Sequence, residues 1–261
     1  MTSIDLHRVR DETFVREIDF HWELASTNDQ ALKWAEEESI VTPLLVLADK
    51  QTQGRGRGPN RWLSSPGSLT FSLLLPLDGI PADRLPQISL TVGLAICQAL
   101  ETFAPLADLA IKWPNDVYLN EKKAAGILIE MPPRRPPHGV IGVGINANNS
   151  LTDYDADVQS KSVSLIDAIE QEVDLSDLLI TCLDHLDRYL NLLRENPTAI
   201  VDQWRAYHLL EGRQVEVDAY GDRIRGVCDG IDPDGALRVV TPSGLQRCIG
   251  GIVTDFERRE L

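Results

Sequence analysis

The stretch Gln51–Trp62 (QTQGRGRGPNRW) most constrains what this chain can build. It is the only strongly basic, glycine-rich run in a chain whose net charge is −15. Gly54, Gly56 and Gly58 alternate with Arg55 and Arg57, and Arg61 and Trp62 follow. Alternating glycine lets a backbone turn sharply and come close to a ligand. Arginine supplies a planar, permanently charged fork of donors suited to phosphate or carboxylate. The run therefore reads as a loop that holds an anionic small molecule, with the rest of the chain as its scaffold.

That scaffold alternates strand and helix patterns. Residues 17–24 (EIDFHWEL) alternate and predict a strand; Ser26-Thr27-Asn28 follows, and Thr27 with Gln30 predicts a capping box opening a helix to about Glu38. Residues 44–49 (LLVLAD) form a short apolar run, read as a buried strand that feeds the basic loop, and 69–75 (LTFSLLL) is another. Leu85 to Phe103 has near-helical apolar spacing, with Pro86 in the first turn. Short strands are expected at 110–112, 117–119, 124–130 and 139–146, with Trp113 to Asp116 as a turn, 120–123 as a hairpin connection and the proline-rich 132–137 as a surface loop. Leu175 to Leu193 is the clearest amphipathic helix, and a shorter one is expected around 198–208. From Glu211 onward, alternating runs separated by Gly221-Asp222, Asp232 to Gly235 and Ser243-Gly244 predict a small β-barrel leaning on the main domain.

Composition excludes several functions. A 261-residue chain that is 43% hydrophobic can bury a substantial core. No apolar run approaches the ~18 residues of a membrane-spanning helix. The polar, mixed-charge start (MTSIDLHRVRDE) is unlike a secretion signal, so a cytoplasmic protein without membrane attachment is expected. The acidic balance argues against nucleic-acid binding, which needs a basic face. Cys97, Cys182, Cys228 and Cys248 form no C-x-x-C pair, and a reducing cytoplasm disfavours a disulfide between Cys228 and Cys248. The scattered histidines form no zinc-binding pattern, so no protein-held metal is expected.

Two familiar phosphate cradles fail. The basic loop lacks the Gly-Lys-Ser/Thr ending of a P-loop. Gly142-x-Gly144-x-x-Ala147 matches the dinucleotide fingerprint formally, but polar Asn148-Asn149-Ser150 follows rather than a helix. Lys122 reads as a solvated hairpin charge; Lys123 precedes an apolar strand and is placed to reach into a cleft. Asn115 and Asp116 either cap their turn or offer oxygens to magnesium.

In chain order, Ser26-Thr27-Asn28, the 51–62 loop, Lys112-Trp113-Pro114-Asn115-Asp116-Val117, Lys123-x-x-Gly126-Ile127-Leu128-Ile129-Glu130 and Gly142-x-Gly144-Ile145-Asn146 resemble the catalytic domain of bacterial biotin–protein ligases, the biotin–[acetyl-CoA-carboxylase] ligases. The resemblance runs from about residue 20 to the end; Ala125, Ala147 and Asn148 depart from it slightly. It implies an α+β fold of the class II aminoacyl-tRNA-synthetase-like type: a mixed, largely antiparallel sheet with helices over residues 1–210, and an SH3-like β-barrel over 211–261. The segment before residue 20 is too short for the winged helix-turn-helix of repressor members, so regulatory DNA binding is not expected.

The implied reaction joins biotin to ATP as biotinyl-5′-AMP, then passes biotin to a lysine of a biotin carboxyl carrier protein. Lipoate–protein ligase, which shares the fold, is the alternative. By resemblance, Ser26, Thr27, Asn28 and Gln51 line the biotin pocket, and Gly54, Arg55, Gly56 and Arg57 fold over carboxylate and phosphate. Arg57 retains the adenylate, Lys123 bridges the reacting carboxylate and α-phosphate, and Gly126 admits biotin to the strand backbone. Trp62 stacks on adenine, closes the loop or anchors in the core; Asn115 serves the adenylate or magnesium, and Asp116 orients the incoming lysine. Magnesium would arrive with the nucleotide, and the family pattern suggests a homodimer.

Overall fold

Periods of two and of 3.6 residues become two sheets and a helical layer in a computed structural model that describes residues 4–81, 84–134, 137–152 and 154–258. The larger sheet contains β1 (Glu17–Leu24), β2 (Leu44–Gln51), β3 (Leu69–Pro76), β4 (Leu109–Lys112), β5 (Asp116–Leu119), β6 (Lys122–Glu130) and β7 (His138–Ile145), hydrogen-bonded in the order β1-β2-β3-β7-β6-β5-β4. Only the β1–β2 pair is parallel; every other neighbouring pair is antiparallel. This is the mixed, largely antiparallel sheet that the sequence implies.

The two faces of this sheet differ, and the difference makes the site. Successive side chains on a strand point to opposite faces. Leu45 and Leu47, Phe71 and Leu73, Ile141 and Val143, and Ile127 join one continuous core with α3 (Leu85–Phe103) and α6 (Leu175–Glu195). α3 lies on the sheet and α6 on α3. The apolar stripe read from α6 is buried throughout, from Leu175 to Leu193, and Asp174 caps its start. Burying each such leucine contributes about 1.5–3 kcal/mol, so this stripe fixes the layer order.

The opposite face is covered only at one end, by α2 (Thr27–Trp34). There Ala31 and Ala35 pack on Leu44, Val46, Leu74 and Val140. The rest of that face carries small residues, and the Trp62 ring lies over two of them, Gly126 and Gly144. α2 ends four residues sooner than expected, and its cap is Ser26 rather than Thr27: Ser26 Oγ accepts from the Asp29 backbone at 3.3 Å. Thr27 is free to bond elsewhere as a result.

The smaller sheet comprises β8 (Gln214–Ala219), β9 (Asp222–Ile231), β10 (Leu237–Thr241), β11 (Gly244–Cys248) and β12 (Ile252–Phe256), in the order β11-β10-β9-β8-β12. Five antiparallel strands suit an SH3-like unit. β12 was not foreseen, because its outer positions are polar and its run is short. Val215, Val217 and Val239 belong to the same core as Leu90 and Trp113, so this unit leans on the larger one as expected.

Three short helices escaped the sequence pattern: α1 (Leu6–Glu12), α4 (Ala156–Lys161) and α5 (Leu165–Ile169). Asp5, Asp155 and Ser164 cap them, and each buries one residue or none. Helices this short carry no readable stripe. α7 (Pro197–Arg205) ends sooner than expected. The 120–123 connection narrows to a two-residue turn, Asn120 and Glu121, both with φ > 0 (50° and 62°), so that β6 begins at Lys122. All four cysteines are buried and free. Of the expected 132–137 loop, residues 135 and 136 lie outside the described residues. Among the described residues no helix is long and apolar enough to cross a membrane.

Candidate active site

The open face of the larger sheet is the floor of a cavity of about 600 Å³. Register decides which residues form that floor. Thr70 pairs with Gly144 and Gly144 with Gly126; Ser72 pairs with Gly142 and Gly142 with Leu128. Two glycines are required by close approach. A Cβ on Gly142 would stand 2.0 Å from Asn28 Oδ1, and one on Gly144 would stand 2.2 Å from the Trp62 ring. Both were read from the sequence as motif residues without this role.

One wall is the start of α2. Thr27 donates to Gln51 Oε1 through its backbone N at 2.7 Å and through Oγ1 at 3.1 Å. Ser72 Oγ lies 2.8 Å from Thr27 Oγ1 and donates to Asn28 Oδ1 at 2.6 Å. Asn28 Nδ2 donates to Glu130 Oε2 at 2.9 Å. Ser26, Thr27, Asn28 and Gln51 are all buried, so this polar wall is rigid. The structure places these four residues side by side and adds Ser72, Thr70 and Glu130, to which the sequence motifs assign no role. The regular polar interruptions of otherwise apolar β3 were the available signal.

The roof is the basic loop. Gly56 N donates to Asn60 O at 2.9 Å and Trp62 N to Gly54 O at 3.1 Å, folding it into a small hairpin. Trp62 turns its ring down onto Gly144 and comes within contact distance of the Gly126 position. It therefore closes the loop over the floor, and its Nε1 is buried without a hydrogen bond. Arg55 behaves differently from the expectation that it covers the ligand's anion. Its Nη1 and Nη2 donate to the two carboxylate oxygens of Glu130 at 3.0 and 2.6 Å, and Nη2 stands 2.7 Å from Asp29 Oδ1. Hydrogen bonding to Glu130 raises the Arg55 pKa further. Arg57 lines the cavity and makes no ion pair among the described residues.

The second wall is the β4–β5 turn and β6. Asn115 Nδ2 donates to Ile127 O at 2.7 Å, and Ile127 N returns a bond to Asn115 O at 3.0 Å. Lys123 Nζ lies 2.7 Å from Asp116 Oδ1. A Cβ on Gly126 would stand 3.2 Å from Lys123 Nζ, so this glycine also makes room for the lysine. Lys112 reaches across to the smaller sheet, donating to Val253 O at 3.0 Å, and stands 5.3 Å from the Phe256 ring centroid. Burial lowers the Lys112 pKa, and nearby Asp116 opposes that shift. Trp113 is buried and donates from Nε1 to Gly235 O at 3.0 Å. The smaller unit therefore grips the start of the turn through two adjacent residues. It also lends Phe256 and Arg258 to the cavity, while Lys161 enters from α4. None of these three belongs to a sequence motif.

The cavity thus gathers Arg57, Lys112, Lys123, Lys161 and Arg258 in an acidic protein. Such a site favours anions and charge that grows on phosphate or carboxylate oxygen. No serine, threonine or cysteine stands against a histidine there, so the arrangement suits attack by a substrate group. No group of three or more metal-ligating His, Cys, Asp or Glu side chains exists among the described residues.

Residues 23–146 match the sequence model of the biotin/lipoate A/B protein ligase family. The chain is 32% identical over 229 residues to the biotin–[acetyl-CoA-carboxylase] ligase of Paracoccus denitrificans, covering 85% of this chain and 93% of that one. The chain belongs to the biotin–protein ligase family. The bifunctional ligase/repressor BirA of Bacillus subtilis is 30% identical over 244 residues, covering 92% of this chain and 74% of that protein. The biotin protein ligase of Aquifex aeolicus, solved with biotin and ATP, superposes with a TM-score of 0.80 at 27% identity, covering 94% of this chain and all of that one. The polar wall, the basic roof and the lysine–aspartate wall surround one cavity, the candidate active site.

Proposed function

We propose that this protein activates biotin with ATP and transfers it to a lysine of a biotin carboxyl carrier protein. The observation that carries the reading is the cavity itself. Arg57, which makes no ion pair among the described residues, and ion-paired Lys123 face a floor of glycines beside a buried polar wall. The named relatives and the ATP and biotin complex of the Aquifex aeolicus protein support the same substrates.

In the first step a biotin carboxylate oxygen bonds to the α-phosphorus of ATP, and the bond to the pyrophosphate oxygen breaks. Two anions must meet, so Lys123 lies between them and screens their repulsion as charge shifts to the leaving group. Ser26, Thr27, Asn28 and Gln51 hold the ureido ring. Trp62 covers the bound ligand, and Gly54, Gly56 and Arg57 close over the mixed anhydride. In the second step the neutral amine of the carrier lysine attacks the acyl carbon and AMP leaves. Asp116 orients that amine. Asn115, whose Nδ2 is committed to Ile127, braces the turn and offers only its amide oxygen.

Magnesium supplies charge neutralisation on the phosphates when it arrives with the nucleotide. Asp116 would be the carboxylate to meet it. Pyrophosphate exchange dependent on biotin, run beside the same assay with lipoate, tests the reading. Exchange with biotin alone is expected; exchange with lipoate alone would replace it with the lipoate ligase reading.

A further inference from the structure

Arg57 and Trp62 work only while the loop that carries them lies over the cavity, and two carboxylates outside that loop, Glu130 and Asp29, meet its Arg55. Glu130, at the end of β6, takes both forks of Arg55, at 3.0 and 2.6 Å. The same Oε2 accepts Asn28 Nδ2 at 2.9 Å, and Asn28 Nδ2 also reaches Leu128 O at 3.3 Å. Asn28 Oδ1 in turn accepts from Ser72. Glu130 therefore joins the roof, the start of α2 and the floor strand through one group. Asp29, the other carboxylate on Arg55, makes a single contact and is more exposed, at 45% against 25% for Glu130.

A guanidinium bonded through two parallel N–H groups is fixed in direction as well as in distance. A loop tied in this way has one closed position. The carboxylate that ties it also sets which way the Asn28 amide faces, so closing the roof and ordering the wall are one event.

We propose that Glu130 is a positioning residue that latches the 54–62 loop through Arg55 and orients Asn28, so that biotin meets a closed, ordered pocket. The proposal rests on the biotin-ligase reading above. Glu130 touches no reacting atom. A ligand that needs the closed form binds more weakly in proportion to the fraction of molecules that are open. Loss of the latch therefore raises the KM for biotin and leaves turnover at saturating biotin nearly unchanged.

The test uses the full chain with Glu130→Gln, Arg55→Lys and Asp29→Asn. Arg55→Lys keeps the charge and loses the fork, attacking the latch from its other side. Two readouts are taken: biotin-dependent pyrophosphate exchange over a range of biotin and ATP, and the rate of trypsin cleavage in the loop without ligand. For Glu130→Gln and Arg55→Lys, the biotin KM and the loop cleavage rate both rise about tenfold, while kcat and the ATP KM stay within about twofold. Asp29→Asn stays within about twofold of the parent in both readouts. Parental biotin KM and loop cleavage in both latch variants overturn the proposal. A fall in kcat at unchanged biotin KM also overturns it, by assigning Glu130 to the chemistry. If the parent protein shows no biotin-dependent exchange, the functional reading fails, and loop cleavage still decides the latch.

Discussion

Lys123 and Asp116 form a 2.7 Å ion pair because one residue is inserted into β6. Asp116 pairs with Gly126 and Val117 with Ala125, but Tyr118 pairs with Lys123, so Ala124 is the extra residue of a bulge. In an unbroken ladder Lys123 would face the apolar layer beside Ala125. The bulge turns it to the cavity face instead, beside Asp116, Tyr118 and Gly126.

Lys123→Ala should abolish adenylate formation and spare the fold. The side chain is 32% exposed, so its ion pair adds little stability. Loss of a preorganised donor at a developing charge costs about 10²–10³ in rate. Biotin-dependent pyrophosphate exchange beside a thermal melt checks both halves. Near-parental exchange would remove Lys123 from the chemistry.

Arg57→Gly should release the activated intermediate. Arg57 has no ion-pair partner among the described residues, so unfolding free energy should change by less than about 0.5 kcal/mol. Biotinyl-AMP should then leave before a carrier lysine arrives and label other lysines. Biotin blotting of a mixture of carrier and unrelated proteins reads this out. Labelling confined to the carrier would deny Arg57 the retaining role.

Gly144→Ala should displace Trp62. The new methyl would meet the indole at 2.2 Å, and overpacking of this kind costs about 1–3 kcal/mol. Trp62 sits on a loop and can yield, so the loss should fall on ligand affinity rather than on folding. Calorimetry is expected to show biotin binding weakened about tenfold or more. Unchanged affinity would mean that Trp62 does not cover the ligand.

The sequence made some of this site visible and hid the rest for physical reasons. The α6 stripe and the apolar β3 run are local patterns, and they appeared where expected. Ser26 to Asn28, the glycine loop and Lys123 were legible as motifs. Three further features depend on contacts between distant segments. Arg55 and Arg57 are both expected over the ligand's anions, and the approach of Glu130, 75 residues away, is what ties down Arg55. The β6 bulge leaves no compositional mark. The hold of β12 on Lys112 runs through the Val253 carbonyl, which any residue would supply.

His208 should make the fold acid-sensitive. Its side chain is fully buried, against Trp204 at a ring distance of 4.5 Å and near Cys228 Sγ at 3.9 Å, with Nδ1 making no hydrogen bond and lying 3.9 Å from Glu211 Oε2. Burial pushes its pKa down from 6.5 to about 3. Between those values the unfolded chain holds a proton that the folded chain does not, so stability rises with pH and is lost as pH falls. The slope is about 1.4 kcal/mol per pH unit below about pH 6.5. Urea midpoints from pH 7.5 to 4.5 should therefore fall more steeply for the parent than for His208→Asn. Parallel curves would show that His208 is not the group responsible.

Arg213 and Glu121 should couple the two sheets thermodynamically. Arg213 donates to both carboxylate oxygens of Glu121, at 2.9 and 2.6 Å, and each side chain is only 8% exposed. Glu121 sits in the β5–β6 turn and Arg213 just before β8, so the pair joins the hairpin carrying Lys123 to the unit that grips Lys112. Arg213→Met takes both guanidinium donors from a buried carboxylate and should cost about 3–5 kcal/mol. Glu121→Gln leaves an amide partner for the guanidinium and should cost less. In the double variant neither charge of the pair remains, so stability should recover part of the Arg213→Met loss, and the shortfall from additivity measures the pair. Additive urea midpoints would mean that the two side chains stabilise the joint independently.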